Sequence, residues 1–250
     1  MSECHVSAPA ESGINWEEFI PDEDWNLYHK VISKAQDEGI EFALGGGLAF
    51  SEYARRLRNT KDLDLFLCPE DKDRMVEIVT DAGFGDYYEK QPYERHWIYR
   101  GFRDGVIVDI IWRMANHHTD VDRGWLKRGK EIQIRDTKLR LIPVEELVWA
   151  KLFVMQRERC DWPDLLNVLA AEAKNIDWER LIERLGEETF LLGGLMNVFR
   201  WMCPRTSAEL PDWIWEPMGL SNIRPLEPMD NRRVGWLDTR DWFGAAPEGV

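Results

Sequence analysis

Cysteine is scarce in this chain. The four present, Cys4, Cys68, Cys160 and Cys203, form no close pairs, so neither a disulfide framework nor a zinc-binding cysteine cluster is expected. They read as reduced thiols. Long apolar runs are missing as well. No segment approaches the ~20 apolar residues that a membrane-spanning helix needs. The opening MSECHVSAPAESG has no basic stretch leading into an apolar one, so no signal peptide is expected and the cytoplasm is the expected compartment. Positive charge is in deficit. Thirty-two Lys and Arg stand against 46 Asp and Glu, a net charge of −14. A chain this acidic repels nucleic acid at long range, which disfavours a nucleic-acid substrate without excluding one, since a local basic patch can override net charge. Repeats and low-complexity tracts are absent.

What is present suffices for a globular protein. At 250 residues and 44% hydrophobic, the chain can bury one large core or two small ones. Thirteen tryptophans read mostly as core or domain-contact residues. Residues 1–22 read as a flexible N-terminal segment. A helix is expected from Asp24, with Leu27, Val31, Ile32 and Ala35 on one face and Gly39 as its stop.

The stretch from Phe42 to Cys68 organises the rest. It reads as a strand, a turn at Gly45-Gly46-Gly47, a helix with Phe50, Tyr53, Ala54 and Leu57 at helical spacing, and a strand over Asp62–Leu67. Glycines at a helix start let the backbone approach a ligand closely, and the unpaired N–H groups there attract anions. On the strand, alternation puts Asp62 and Asp64 on one face and Leu63, Leu65 and Leu67 on the other. Adjacent carboxylates repel unless a cation lies between them. A phosphate seat beside paired carboxylates suits a Mg-nucleotide. Taken singly, each half has a plainer reading: a common turn, and the solvated face of a strand.

Further on, Pro69 opens a helix that ends at Ala82-Gly83, and Gly83 to Glu94 reads as a loop. Asp104-Gly105 then joins two strand-like runs, His96–Arg103 and Val106–Trp112, the strongest short hairpin signal. Asp109 is the one polar residue of VIVDIIW, where an unpaired charge would be costly. It reads as a third carboxylate of the same site, or else as a structural aspartate paired with Arg113. His117-His118 reads as a solvated loop. Ile132–Ile134 and Leu139–Ile142 form a second hairpin. A long helix is expected from Pro143 through Cys160. Lys151 lies on its apolar stripe of Val144, Leu147, Val148, Leu152 and Met155. Its ammonium either snorkels out of the core or reaches a phosphate as a point charge; Arg159 should lie in solvent near the helix end. Helices are expected over Pro163–Ala173, Asp177–Gly186, Glu188–Met202 and Pro211–Met218, with an irregular tail from Leu220.

The glycine turn followed by TKDLDLFL resembles the DNA polymerase β-like nucleotidyltransferase superfamily, and most closely its small bacterial, minimal and abortive-infection-type members. The resemblance covers Asp24 to Gly219. It implies an α+β nucleotidyltransferase fold, a mixed sheet flanked by helices over residues 23–142, followed by a C-terminal helical bundle over 143–219. It implies an enzyme that transfers an NMP from an NTP to a hydroxyl acceptor with release of pyrophosphate. Two Mg²⁺ ions would be held by Asp62, Asp64 and Asp109, with Gly45, Gly46, Gly47 and Lys151 on the triphosphate. Gly47 stands where many members carry Ser or Thr, so backbone N–H groups would serve there alone. The acceptor, whether small molecule, protein hydroxyl or tRNA end, cannot be read from the sequence, and neither can the oligomeric state. Two rivals stand beside this reading. One is a non-catalytic binder on the same fold, a toxin–antitoxin component or scaffold. The other is a metal-dependent phosphohydrolase using the same aspartates.

Overall fold

The computed structural model describes residues 14–57, 60, 62–157, 159–221, 226–227, 229–231 and 233. The chain opens with a short helix, α1 (Trp16–Phe19), then α2 (Asp22–Asp37). Trp16 and Ile20 are buried in the core, so residues 14–20 are packed where a loose segment was expected. Residues 1–13 lie outside the described residues. Strand β1 (Phe42–Leu44), helix α3 (Gly46–Ala54) and strand β2 (Asp62–Leu67) follow as the glycine and aspartate pattern predicts, and α4 (Lys72–Asp81) covers the sheet after them. The expected loop from Gly83 contains a two-residue strand, β3 (Gly85–Asp86).

Strands β4 (Ile98–Arg103) and β5 (Val106–Ile111) form the Asp104-Gly105 hairpin. Both turn residues have positive φ, 49° and 90°, the conformation in which a two-residue turn matches the twist of its strands. The sheet runs in the order β1-β2-β5-β4-β3. Only β2 and β5 pair in parallel, and they lie at its centre. This is the mixed sheet expected. Parallel pairing belongs to the covered interior of a sheet. Leu63, Leu65 and Leu67 line one face and are fully buried, as are Val108 and Ile110. Beyond the sheet come α5 (Arg123–Lys127) and the hairpin β6 (Glu131–Ile134) and β7 (Thr137–Arg140).

The helical part comprises α6 (Val144–Leu152), α7 (Trp162–Glu172), α8 (Trp178–Leu185), α9 (Thr189–Met202) and α10 (Pro204–Ala208). Asp177 caps α8 by accepting from the Arg180 N–H at 3.1 Å. Two expectations fail here. Helix α6 ends at Leu152, not Cys160, because the chain folds back on itself. The Asp161 N–H donates to the Val154 carbonyl at 3.0 Å, and the Trp162 indole N–H donates to the Leu152 carbonyl at 3.0 Å. Near the end, a helix over Pro211–Met218 is reduced to a single 3₁₀ turn, Asp212–Ile214, while Pro204 starts a helix that was not foreseen. The tail from Leu220 falls largely outside the described residues.

The segment that leads into the helical part is held against β1 and α3. The Ile142 N–H donates to the Leu44 carbonyl at 2.8 Å, and the buried Tyr53 hydroxyl donates to the Ile142 carbonyl at 2.8 Å. Leu147, Ala150 and Lys151 of α6 line the same cleft as Asp62 and Asp64.

Candidate active site

Strand pairing brings the three aspartates together. In the parallel pairing of β2 with β5, Asp64 stands opposite Asp109. Asp62 lies two residues before Asp64, on the same face. Asp62 and Asp64 are partly accessible, whereas Asp109 is 2% exposed. All three line one cleft of about 560 Å³, a size that holds a small ligand. Burial, then the Asp109 and Asp62 carboxylates, push the Asp64 carboxyl up to about 7. Burial also raises Asp109, against the pull of Arg100. Such repulsion is what a bound cation relieves.

The glycines divide their work. Gly46 has a φ of +50°, and a Cβ there would lie 1.6 Å from Asp64 Oδ2. Only glycine fits both the backbone and the carboxylate. Gly46 and Gly47 line the cleft at the start of α3. Gly45, expected on the phosphates, is engaged within the protein. Its N–H donates to the Asp64 carbonyl at 3.0 Å, and its Cα side abuts the Phe66 ring. The expectation that backbone N–H groups stand alone at the helix start also needs correcting. Thr60, missed in the sequence, packs over Gly47. A Cβ on Gly47 would come within 2.8 Å of Thr60 Oγ1, so a hydroxyl does stand beside the turn. That hydroxyl donates to the Asp62 carbonyl at 3.2 Å.

Arg100 was missed too. From β4 it grips Asp109 with two hydrogen bonds, Nε to Oδ1 at 2.8 Å and Nη2 to Oδ2 at 2.6 Å. Arg113, the partner considered in the sequence, pairs with Asp120 instead. Asp109 thus lines the cleft and is ion-paired at once. Among the described residues no group of three or more His, Cys, Asp or Glu side chains converges on a point that would hold a metal ion, and both Asp109 oxygens are turned to Arg100. The donor set itself, carboxylate oxygens with no nitrogen or sulfur, fits a hard divalent cation such as Mg²⁺. Asp62 and Asp64 are the side chains best placed to hold one, with Asp109 joining if Arg100 lets go.

On the roof of the cleft, Lys151 neither snorkels nor stands free. Its side chain is 8% exposed, and its ammonium bridges Asp161 at 2.6 Å and Asp164 at 2.9 Å. Arg159 donates to both Asp161 oxygens, at 2.9 and 3.0 Å. Burial alone would raise Asp161, but the bonds from Arg159 and Lys151 hold it below its ordinary value. Expected in solvent near the helix end, Arg159 has a side chain 55% exposed, and it lines the cleft. It is the accessible cation of this cluster.

A family model described as an uncharacterised nucleotidyltransferase matches residues 26–202. The chain belongs to this family. The aspartates, glycine turn and roof of the cleft all fall within the matched part of this nucleotidyltransferase. No curated protein matches the chain. Among solved structures, ANT(2″)-Ia in complex with adenylyl-2″-tobramycin is 20% identical, with 70% of this chain and 96% of that one covered and a TM-score of 0.42. The lincosamide antibiotic adenylyltransferase LnuA, lincomycin-bound, is 13% identical over 62% of this chain and 98% of that one, with a TM-score of 0.43. JHP933 from Helicobacter pylori is 12% identical over 87% and 93%, with a TM-score of 0.40.

Proposed function

We propose that this nucleotidyltransferase moves an NMP from a Mg-bound NTP to a hydroxyl acceptor, releasing pyrophosphate, and that Asp62, Asp64 and Asp109 are its reactive carboxylates. One observation carries the reading. Asp64 and Asp109 face each other across the only parallel strand pair of the sheet, with Asp62 beside them and the start of α3 at one end. Nucleotidyl transfer is mostly positioning and charge neutralisation. Divalent ions, when bound, would supply that neutralisation and lower the pKa of the attacking hydroxyl. Asp62 and Asp64 would hold such ions, and Asp109 would accept the proton of the incoming hydroxyl once Arg100 has moved off it. The N–H groups at Gly46 and Gly47 receive the terminal phosphates, with the Thr60 hydroxyl beside them. Lys151, originally assigned to the triphosphate, is neutralised by Asp161 and Asp164. Its part is to fix Asp161, which aims Arg159 into the cleft, and Arg159 is the cation that meets the triphosphate.

The grip of Arg100 on Asp109 favours one rival, a nucleotide-binding protein without catalysis, because it blocks the third carboxylate. A labelling experiment separates the two. The protein is incubated with Mg²⁺, each α-labelled NTP in turn and a cell extract cleared of macromolecules or left whole. Label appearing in a new compound, and disappearing in Asp64→Asn, supports transfer. Nucleotide that binds and is recovered unchanged in every mixture leaves the binder.

A further inference from the structure

The cleft is chemically two-sided, and the side away from the glycine turn tells what kind of acceptor it takes. The inference rests on the transfer reaction proposed above. In an in-line displacement the nucleophile enters opposite the leaving group. The leaving pyrophosphate belongs to the start of α3, at Gly46 and Gly47. The hydroxyl must therefore arrive from the opposite side, over β5 and β4. There the wall is apolar. Ile107 and Ile111 flank Asp109 on its own face of β5, and Ile98 pairs directly with Ile111 across the hairpin. Trp97 and Met114 extend the wall, and all five line the cleft.

The charges on that side are accounted for. Arg100 is held by Asp109 and Arg113 by Asp120. Among the described lining residues the carboxylates are Asp62, Asp64, Asp109 and Asp161. The first three are the reactive set, and Asp161 is ion-paired with Lys151 and Arg159. A polycationic acceptor would find no further carboxylate to bind. A nucleic-acid end would meet the long-range repulsion of a chain of net charge −14. A polyhydroxylated sugar would leave hydroxyls unbonded against isoleucine, which is costly. We propose that the wall of Trp97, Ile98, Ile107, Ile111 and Met114 is the acceptor subsite and that it takes an uncharged hydroxyl compound with an apolar body.

The test uses 2-naphthol, a fused-ring alcohol whose own fluorescence anisotropy reports binding, on the full chain. It should bind, and should stay bound when Mg²⁺ and α,β-methylene-ATP are added to saturation. Trp97→Asp should weaken naphthol by at least about tenfold, because a charge replaces an apolar surface, while the affinity for the nucleotide analogue holds. Ala115→Asp, at an exposed position on the rim of the same wall, gives a second variant if Trp97→Asp fails to fold, with the same expected loss. Displacement of naphthol by the analogue would mean that the wall holds the nucleobase, and would overturn the proposal while leaving the transfer reaction standing. Absence of naphthol binding, binding that survives the variants, or competition by the polycation neomycin would overturn it too. If the analogue itself does not bind the wild-type chain, the transfer reading fails at its own step and the acceptor subsite fails with it.

Discussion

Lys151 holds two buried carboxylates, Asp161 and Asp164, 1% and 9% exposed. Removing one partner of a buried ion pair leaves uncompensated charge and costs about 3–5 kcal/mol. Lys151→Met should therefore destabilise the fold by that order, in spite of matching the stem in length, and urea unfolding measures it. A variant as stable as wild type would show that the pair carries no net energy. Asp64 offers the matching pH experiment. Its folded-state value near 7 lies above the ordinary 3.8, so the folded chain binds this proton more tightly than the unfolded chain does. The resulting stability is fully present below about 3.8 and is lost as pH rises through about 7. Asp161 is shifted the other way, so its contribution is lost only on the acid side of 3.8. Without metal, the urea midpoint of the wild type should fall between about pH 4 and about pH 8, and Asp64→Asn should flatten that fall. An equal slope in both proteins would mean that Asp64 is not the group responsible.

At the scale of elements, the glycine turn, the β2 strand and the β4–β5 hairpin were legible because their signals are local. Alternation put Asp62 and Asp64 on one face, and a lone charge in an apolar strand marked Asp109. Arg100 was legible in principle. A two-residue turn fixes the register, so Arg103 must pair with Val106 and Arg100 with Asp109; the sequence reading looked instead to Arg113, near in sequence but past the strand end. The fold-back after Leu152 was not legible. Residues 153–160 continue a helical pattern, and the chain leaves it for tertiary contacts that appear only once Asp161 meets Lys151 and Arg159. The same fold-back turns Lys151 onto Asp161 and Asp164 and brings Arg159, exposed as expected, to the cleft. Gly46 was singled out as an anion seat, yet contact with Asp64 constrains it as strongly. Gly46→Ala must relieve both a φ of +50° and a 1.6 Å overlap with the Asp64 carboxylate. The backbone strain alone costs about 1–3 kcal/mol, and the displaced carboxylate should abolish nucleotide binding. Calorimetry on the folded variant checks this, and wild-type affinity would mean that the turn and Asp64 are not one unit.

Across the whole molecule, the floor of the cleft belongs to the sheet and its roof to α6 and the fold-back that follows. Ion pairs fasten the same two parts elsewhere. Arg184 of α8 reaches Asp122 at 2.5 Å, and Arg55 at the end of α3 reaches Glu172 of α7 at 3.2 Å. No helix among the described residues is long and apolar enough to cross a membrane. A ligand that touches floor and roof together must then stabilise both. Ligand at 100 times its dissociation constant adds about 2.7 kcal/mol to a one-site protein. Mg²⁺ with a non-hydrolysable NTP should accordingly raise the melting temperature as one cooperative transition, by several degrees. EDTA should remove most of that gain, because without a cation the triphosphate meets the repulsion of Asp62 and Asp64. Arg159→Ala should remove part of it, since the roof then lacks its accessible cation. Asp62→Asn should remove the dependence on Mg²⁺ itself. Equal stabilisation with and without Mg²⁺ would place the nucleotide away from the carboxylates and would break the link between the sheet floor and the chemistry assigned to it.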